Sequence, residues 1–128
     1  MHKLLNPPAA PKPFSKYSQG VEVAPGKRWL HISGQVGVTP EGTLLPSVEG
    51  QHEQCWMNLR AILAAAGMAP RDLVKVTIFV TTPDQVALSR QVRDRMLDGA
   101  QPASTLLVVA GLANPDLKVE IEAIAAAD

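Results

Sequence analysis

The stretch Thr105-Leu106-Leu107-Val108-Val109-Ala110 constrains the fold more than any other segment, because after its single hydroxyl it holds no polar side chain. A strand with one face in water alternates apolar and polar residues, whereas a continuous apolar run reads as a strand covered on both faces. The fold must therefore supply cover twice.

Two helices can supply it once. Cys55, Trp56, Leu59, Ile62, Leu63 and Ala66 recur at three- and four-residue spacing, which predicts one helix from about Val48 to Ala66 with an apolar stripe. Glu53, Gln54, Asn58 and Arg60 lie mostly off that stripe, and Gly67 can end the helix in the left-handed conformation. In the second helix Thr82 is a candidate cap, Pro83 suits the first helical position and Gln85 would complete a capping box. This helix is expected to run to about Leu97, with Leu88, Val92 and Met96 inward and Gly99 after its end.

Strands fill the remainder. Val74, Val76, Ile78 and Val80 alternate with Lys75, Thr77, Phe79 and Thr81, and Val119, Ile121 and Ala123 share a face opposite Glu120 and Glu122. Tyr17 to Val23 alternates loosely and, across the turn at Pro25-Gly26, is expected to form a hairpin with Arg28–Ser33. Pro7, Pro8, Pro11 and Pro13 make residues 1–14 an extended surface arm, neither helix nor central strand. The order strand, strand, helix, strand, helix, strand, strand is that of an α+β fold, a mixed sheet with both helices on one face. Association between copies is the simplest cover for the other face.

The 128 residues suit one domain, 1–128, and a chain of this size removes about 68–70% of its unfolded surface from water without staples. Twelve basic and twelve acidic residues cancel, so no net field draws the protein to nucleic acid or an anionic membrane. The single cysteine, Cys55, forms no intrachain disulfide, which suits a reducing, cytoplasmic setting. No signal-peptide run is expected in the proline-interrupted N-terminus, and no segment approaches the roughly 20 apolar residues of a membrane span.

Most chemistry-bearing residues read as structural. His2, His31 and His52 have no zinc spacing, so no metal site is expected. Cys55 sits on the apolar stripe and reads as a buried inert thiol. Ser89, Ser104 and Thr105 lack a glycine-framed elbow, and Gly34 and Gly37 are too sparse for a phosphate cradle. Arg90, Arg93 and Arg95, diluted by Asp84, Asp94 and Asp98, read as a solvated helix face. Glu120, placed between Val119 and Ile121, is either a sheltered proton acceptor or one of two carboxylates lining a polar sheet face and pairing with Lys118 or Lys75.

The order of elements, together with Pro13-Phe14-Ser15-Lys16-Tyr17-Ser18-Gln19, Ile32-Ser33-Gly34-Gln35-Val36, Asn58-Leu59-Arg60-Ala61-Ile62-Leu63 followed by Ala66-Gly67, Val74-Lys75-Val76-Thr77-Ile78-Phe79-Val80 and Val119-Glu120-Ile121-Glu122-Ala123-Ile124-Ala125, resembles the RidA (YjgF/L-PSP) family. The resemblance implies a chorismate-mutase-like fold, a homotrimer, and small-molecule clefts between subunits. It implies cofactor-free hydrolysis of enamines and imines to a 2-keto acid and ammonia, with Glu120 orienting water and Tyr17, Ser33 and Gly34 lining the cleft. The family pattern has an arginine after Pro-Ala to hold the substrate carboxylate, where this chain has Pro102-Ala103-Ser104. Losing that charge-assisted hydrogen bond costs about tenfold to a hundredfold for a 2-imino acid if nothing replaces it. Arg90 is the candidate replacement cation, and its plainer reading is a solvated arginine beside Arg93 and Asp94. Two alternatives stand beside the hydrolase: a non-catalytic metabolite-binding trimer and, last, an endoribonuclease or translation inhibitor. The zero net charge and 4% aromatic content argue against the last.

Overall fold

A computed structural model describes residues 1–128. In chain order the elements are β1 (Lys3–Leu5), β2 (Gly20–Glu22), β3 (Arg28–Val36), α1 (Val48–Ala65), β4 (Leu73–Val80), α2 (Val86–Met96), β5 (Ala103–Val108) and β6 (Val119–Ala127). The main sheet has the order β3-β6-β4-β5. β6 runs antiparallel to both neighbours, and β5 runs parallel to β4, to which α2 makes the crossover.

Each element follows from local chemistry. Ser47 caps α1, its Oγ accepting from Gly50 N at 3.0 Å. Gly67 closes the helix at φ +69°, as its sequence position predicts. The stripe faces inward: Cys55, Trp56, Leu59 and Leu63 have no solvent exposure and pack with Val76, Ile78, Val80 and Ile121 into one core. Burying each such aliphatic side chain contributes about 1.5–3 kcal/mol. Polar residues of α1 are buried too. Gln51 donates to Leu45 O and Asp116 O and accepts from Lys118 N, so one amide ties two loops to the helix. Both helices lie on one face of the sheet, and β4 and β6 carry the expected alternation.

Two expectations need correction. β2 pairs with β1 rather than with β3. The arm folds back instead: Lys3 meets Glu22 in register, and Gln19 donates twice to the arm, from its side-chain amide to Pro11 O and from its backbone N–H to Asn6 Oδ1. β3 takes β6, whose nine residues match its nine, as the partner that buries apolar surface. Second, no capping box forms at Thr82. Pro83–Gln85 is a single 3-10 turn ahead of α2, and Gln85 is buried with its amide donating to the Thr81 and Thr82 hydroxyls and its oxygen meeting His52 Nε2 at 2.9 Å. A long-range partner has outcompeted the local cap. β5 is an edge strand whose second cover is not supplied within one copy, in keeping with the expected association: Leu107 is 44% and Val108 48% exposed.

Candidate functional site

Strand register sorts the predicted site residues into two groups. Ser104 pairs with Val76 and Leu106 with Ile78, residues of the core, so both look toward the helices. Glu120 pairs with Phe79 and Val36 and looks the other way. Within one chain, Ser104 and Glu120 are therefore on opposite faces of the sheet.

The helix-side group forms a cleft of about 360 Å³ between β5, α2 and the end of the arm, bounded by Phe14, Tyr17, Arg90, Arg93, Ser104 and Leu106. Two guanidiniums build its polar wall. Arg93, one helical turn after Arg90, is 2% exposed. It pairs with Asp94 at 3.0 Å, donates to Ser104 Oγ at 3.3 Å and to Ser15 Oγ, and lies 5.4 Å from the centre of the Tyr17 ring. Arg90 is half-buried with its guanidinium 5.8 Å from the centre of the Phe14 ring, and no acidic side chain pairs with it. Two cations against one carboxylate leave the wall with a net positive charge, which suits a small anion.

This overturns the reading of Arg90 and Arg93 as a solvated face. Arg93 is buried because the arm at Ser15 and Tyr17 and the strand at Ser104 converge on it beside its neighbour Asp94, and Arg90 lies against Phe14. A larger hollow of about 570 Å³ lies under the proline-rich arm and shares Ser15 and Tyr17, but its other walls are mainly prolines.

The second group centres on the Ser33-Gly34 bulge. Three steps on β3, from Ile32 to Gln35, span two on β6, from Ala123 to Ile121, so one extra residue is inserted there. Ser33 and Gly34 are exposed, and Glu120 packs against the bulge: a Cβ at residue 34 would stand 1.8 Å from Glu120 Oε2. Glu120 has no ion pair, since Lys118 Nζ reaches Pro115 O and Lys75 Nζ reaches Thr105 Oγ1. The structural alternative that paired Glu120 with either lysine is not the observed arrangement.

Tyr17, Ser104 and Arg90 are thus brought together, and Ser33, Gly34 and Glu120 are brought together elsewhere. Arg93, Ser15 and Phe14 were missed as site residues. The signal for Arg93 was its three-residue spacing from Arg90, which puts both on one helix face. No group of three His, Cys, Asp or Glu side chains is arranged to hold a metal ion. Cys55 stays out of the chemistry, its thiol pushed up to about 12 by burial and then by the nearby Glu120 charge. No helix is long and apolar enough to cross a membrane.

Comparison with known proteins agrees with this architecture. The family model described as Endoribonuclease L-PSP matches residues 7–127. A mouse protein named 2-iminobutanoate/2-iminopropanoate deaminase is 35% identical over 127 residues, covering 98% of this chain and 91% of the mouse protein. The crystal structure of the Rid-family protein YyfB from Yersinia pestis superposes with a TM-score of 0.85 at 32% identity, covering 97% of each chain. That of Escherichia coli TdcF with bound serine gives 0.75 at 33% identity, covering 98% of this chain and 99% of TdcF.

Proposed function

We propose, from the premise that this chain belongs to the RidA/YjgF/L-PSP family, that it is a homotrimeric hydrolase of small enamine or imine metabolites bearing a carboxylate. The observation that carries this reading is the division of the site. One face of the sheet holds donors and cations whose one carboxylate, Asp94, is taken by Arg93, and the other holds Glu120 without an ion-pair partner. Two copies in a ring can set the Glu120 face of one against the Ser104 cleft of the next, while the exposed Leu107 is covered in the same contact.

In this reading the substrate carboxylate lies against Arg90 and the Ser104 hydroxyl, with Tyr17 forming one wall. Glu120 of the adjoining copy takes a proton from water as the water oxygen bonds to the imine carbon. Returning that proton to nitrogen gives a carbinolamine, and transfer of its hydroxyl proton to the same nitrogen lets the carbon–nitrogen bond break as the carbonyl forms, giving a 2-keto acid and ammonia. Water is the only co-reactant the bond change requires, so the reading assigns no cofactor or metal. It places the protein in the cytoplasm and assigns no role with nucleic acid or membrane.

The test generates 2-iminopropanoate in situ with an amino-acid oxidase. Wild type is expected to accelerate its loss, and Glu120→Ala to abolish the acceleration. A wild-type rate at background refutes the hydrolase. The second reading is a non-catalytic metabolite-binding trimer, favoured by the neutral Ser104 at the anchor position and by the serine bound to TdcF. A metabolite retained on purification without turnover would select it.

A further inference from the structure

We infer that Arg93 is a positioning residue that turns Ser104 into an obligate hydrogen-bond donor toward the ligand carboxylate. The inference rests on the reading of the helix-side cleft as the binding site, and it adds how a serine serves there.

A guanidinium has five N–H donors and no acceptor, and a serine hydroxyl has one proton and two lone pairs. Arg93 Nη1 donates to Ser104 Oγ at 3.3 Å, so Ser104 is the acceptor in that contact. Ser104 is only partly buried and its hydroxyl proton meets no acceptor within the chain, so the proton is left for the cleft. Donation from a cation polarises the O–H, as in other hydrogen-bonded chains.

Arg93 cannot easily serve as the direct anchor. Its side chain is 3% exposed, and each of its three nitrogens already donates, Nε to Asp94, Nη1 to Ser104 and Nη2 to Ser15. Asp94 also balances its charge. What it can do is hold one hydroxyl in one orientation, with the ring of Tyr17 above it fixing the guanidinium plane. The guanidinium thus acts one bond removed from the ligand, from the helix instead of from the strand.

A double-mutant cycle tests this with pyruvate as the probe, its affinity read by calorimetry so that no turnover is needed. Ser104→Ala and Arg93→Lys are each expected to weaken pyruvate about tenfold, the worth of a charge-assisted hydrogen bond, and the double variant to be no weaker than either alone. Losses that multiply in the double variant, or an Arg93→Lys affinity equal to wild type, overturn the inference, as does a wild type that does not bind pyruvate. Should Arg93→Lys fail to fold, Ser104→Thr decides: retention of affinity within about threefold supports a donating hydroxyl, and a loss equal to that of Ser104→Ala overturns it. The hydrolase reading fails separately, when wild type shows the binding cycle but no imine hydrolysis.

Discussion

The carboxylate of Glu120 lies over the backbone of Gly34, so close that a Cβ at residue 34 would fall 1.8 Å from Glu120 Oε2 and 2.7 Å from its Cδ. Gly34 has no positive φ, so alanine is compatible with its backbone. The obstacle is the end of a flexible side chain, which can swing away. Gly34→Ala is therefore expected to fold with little change in melting temperature and to lose at least tenfold in imine hydrolysis, as for removal of a positioned general base. Unchanged turnover would show that Glu120 does not act from this position. Gly37→Ala makes the contrast: its Cβ would meet the Gln51 backbone at 2.6 Å, and a loss of about 1–3 kcal/mol in denaturant unfolding is expected.

His52 is fully buried between α1 and α2, with Gln85 as its partner, and burial lowers its pKa below the ordinary 6.5. The folded protein thus resists a proton that the unfolded chain accepts. Stability contributed by neutral His52 is complete above the unfolded value and is lost as pH falls below it, by up to about 1.4 kcal/mol per pH unit. Melting temperatures measured from pH 8 to pH 5 are expected to fall, and His52→Gln to flatten that fall. An identical slope in the variant would remove His52 as the cause.

Cys55 has no solvent exposure and a thiol pushed up to about 12. The thiolate that alkylating reagents need is absent near neutral pH. Native protein at pH 8 is expected to resist iodoacetamide, and denatured protein to react completely, as mass spectrometry would record. Rapid labelling of the native chain would contradict the burial.

Leu107, 44% exposed on β5 and paired in register with Phe79, lies on the face that carries Glu120. Light scattering is expected to report three times the 13.7 kDa chain mass for wild type. Leu107→Glu is expected to shift the population to monomer and remove turnover together, because each cleft needs two copies. A stable wild-type monomer at micromolar concentration would refute the ring.

Much of this was legible in residue order because it depends on neighbours a few positions apart. The stripe of Trp56, Leu59 and Leu63, the stop at Gly67 and the alternation of Val119, Ile121 and Ala123 are set by helix and strand periods, and each appears where the pattern puts it. The capping box at Thr82 failed because Gln85 found His52, thirty-three residues away, a partner no local rule contains. The predicted hairpin failed for a similar reason, since the arm returned to pair with β2.

The sequence by itself determined the two helices, the apolar faces of β4 and β6, and the need for a second cover over β5. These follow from side-chain period and hydrophobicity, which act along the chain. Only the tertiary structure decided that Arg93 is buried while Arg90 stays unpaired, and that Ser104 and Glu120 look away from each other. Burying a guanidinium requires Ser15, Tyr17, Asp94 and Ser104 to converge from three separate stretches of the chain, and the face a residue occupies depends on register between strands remote in sequence.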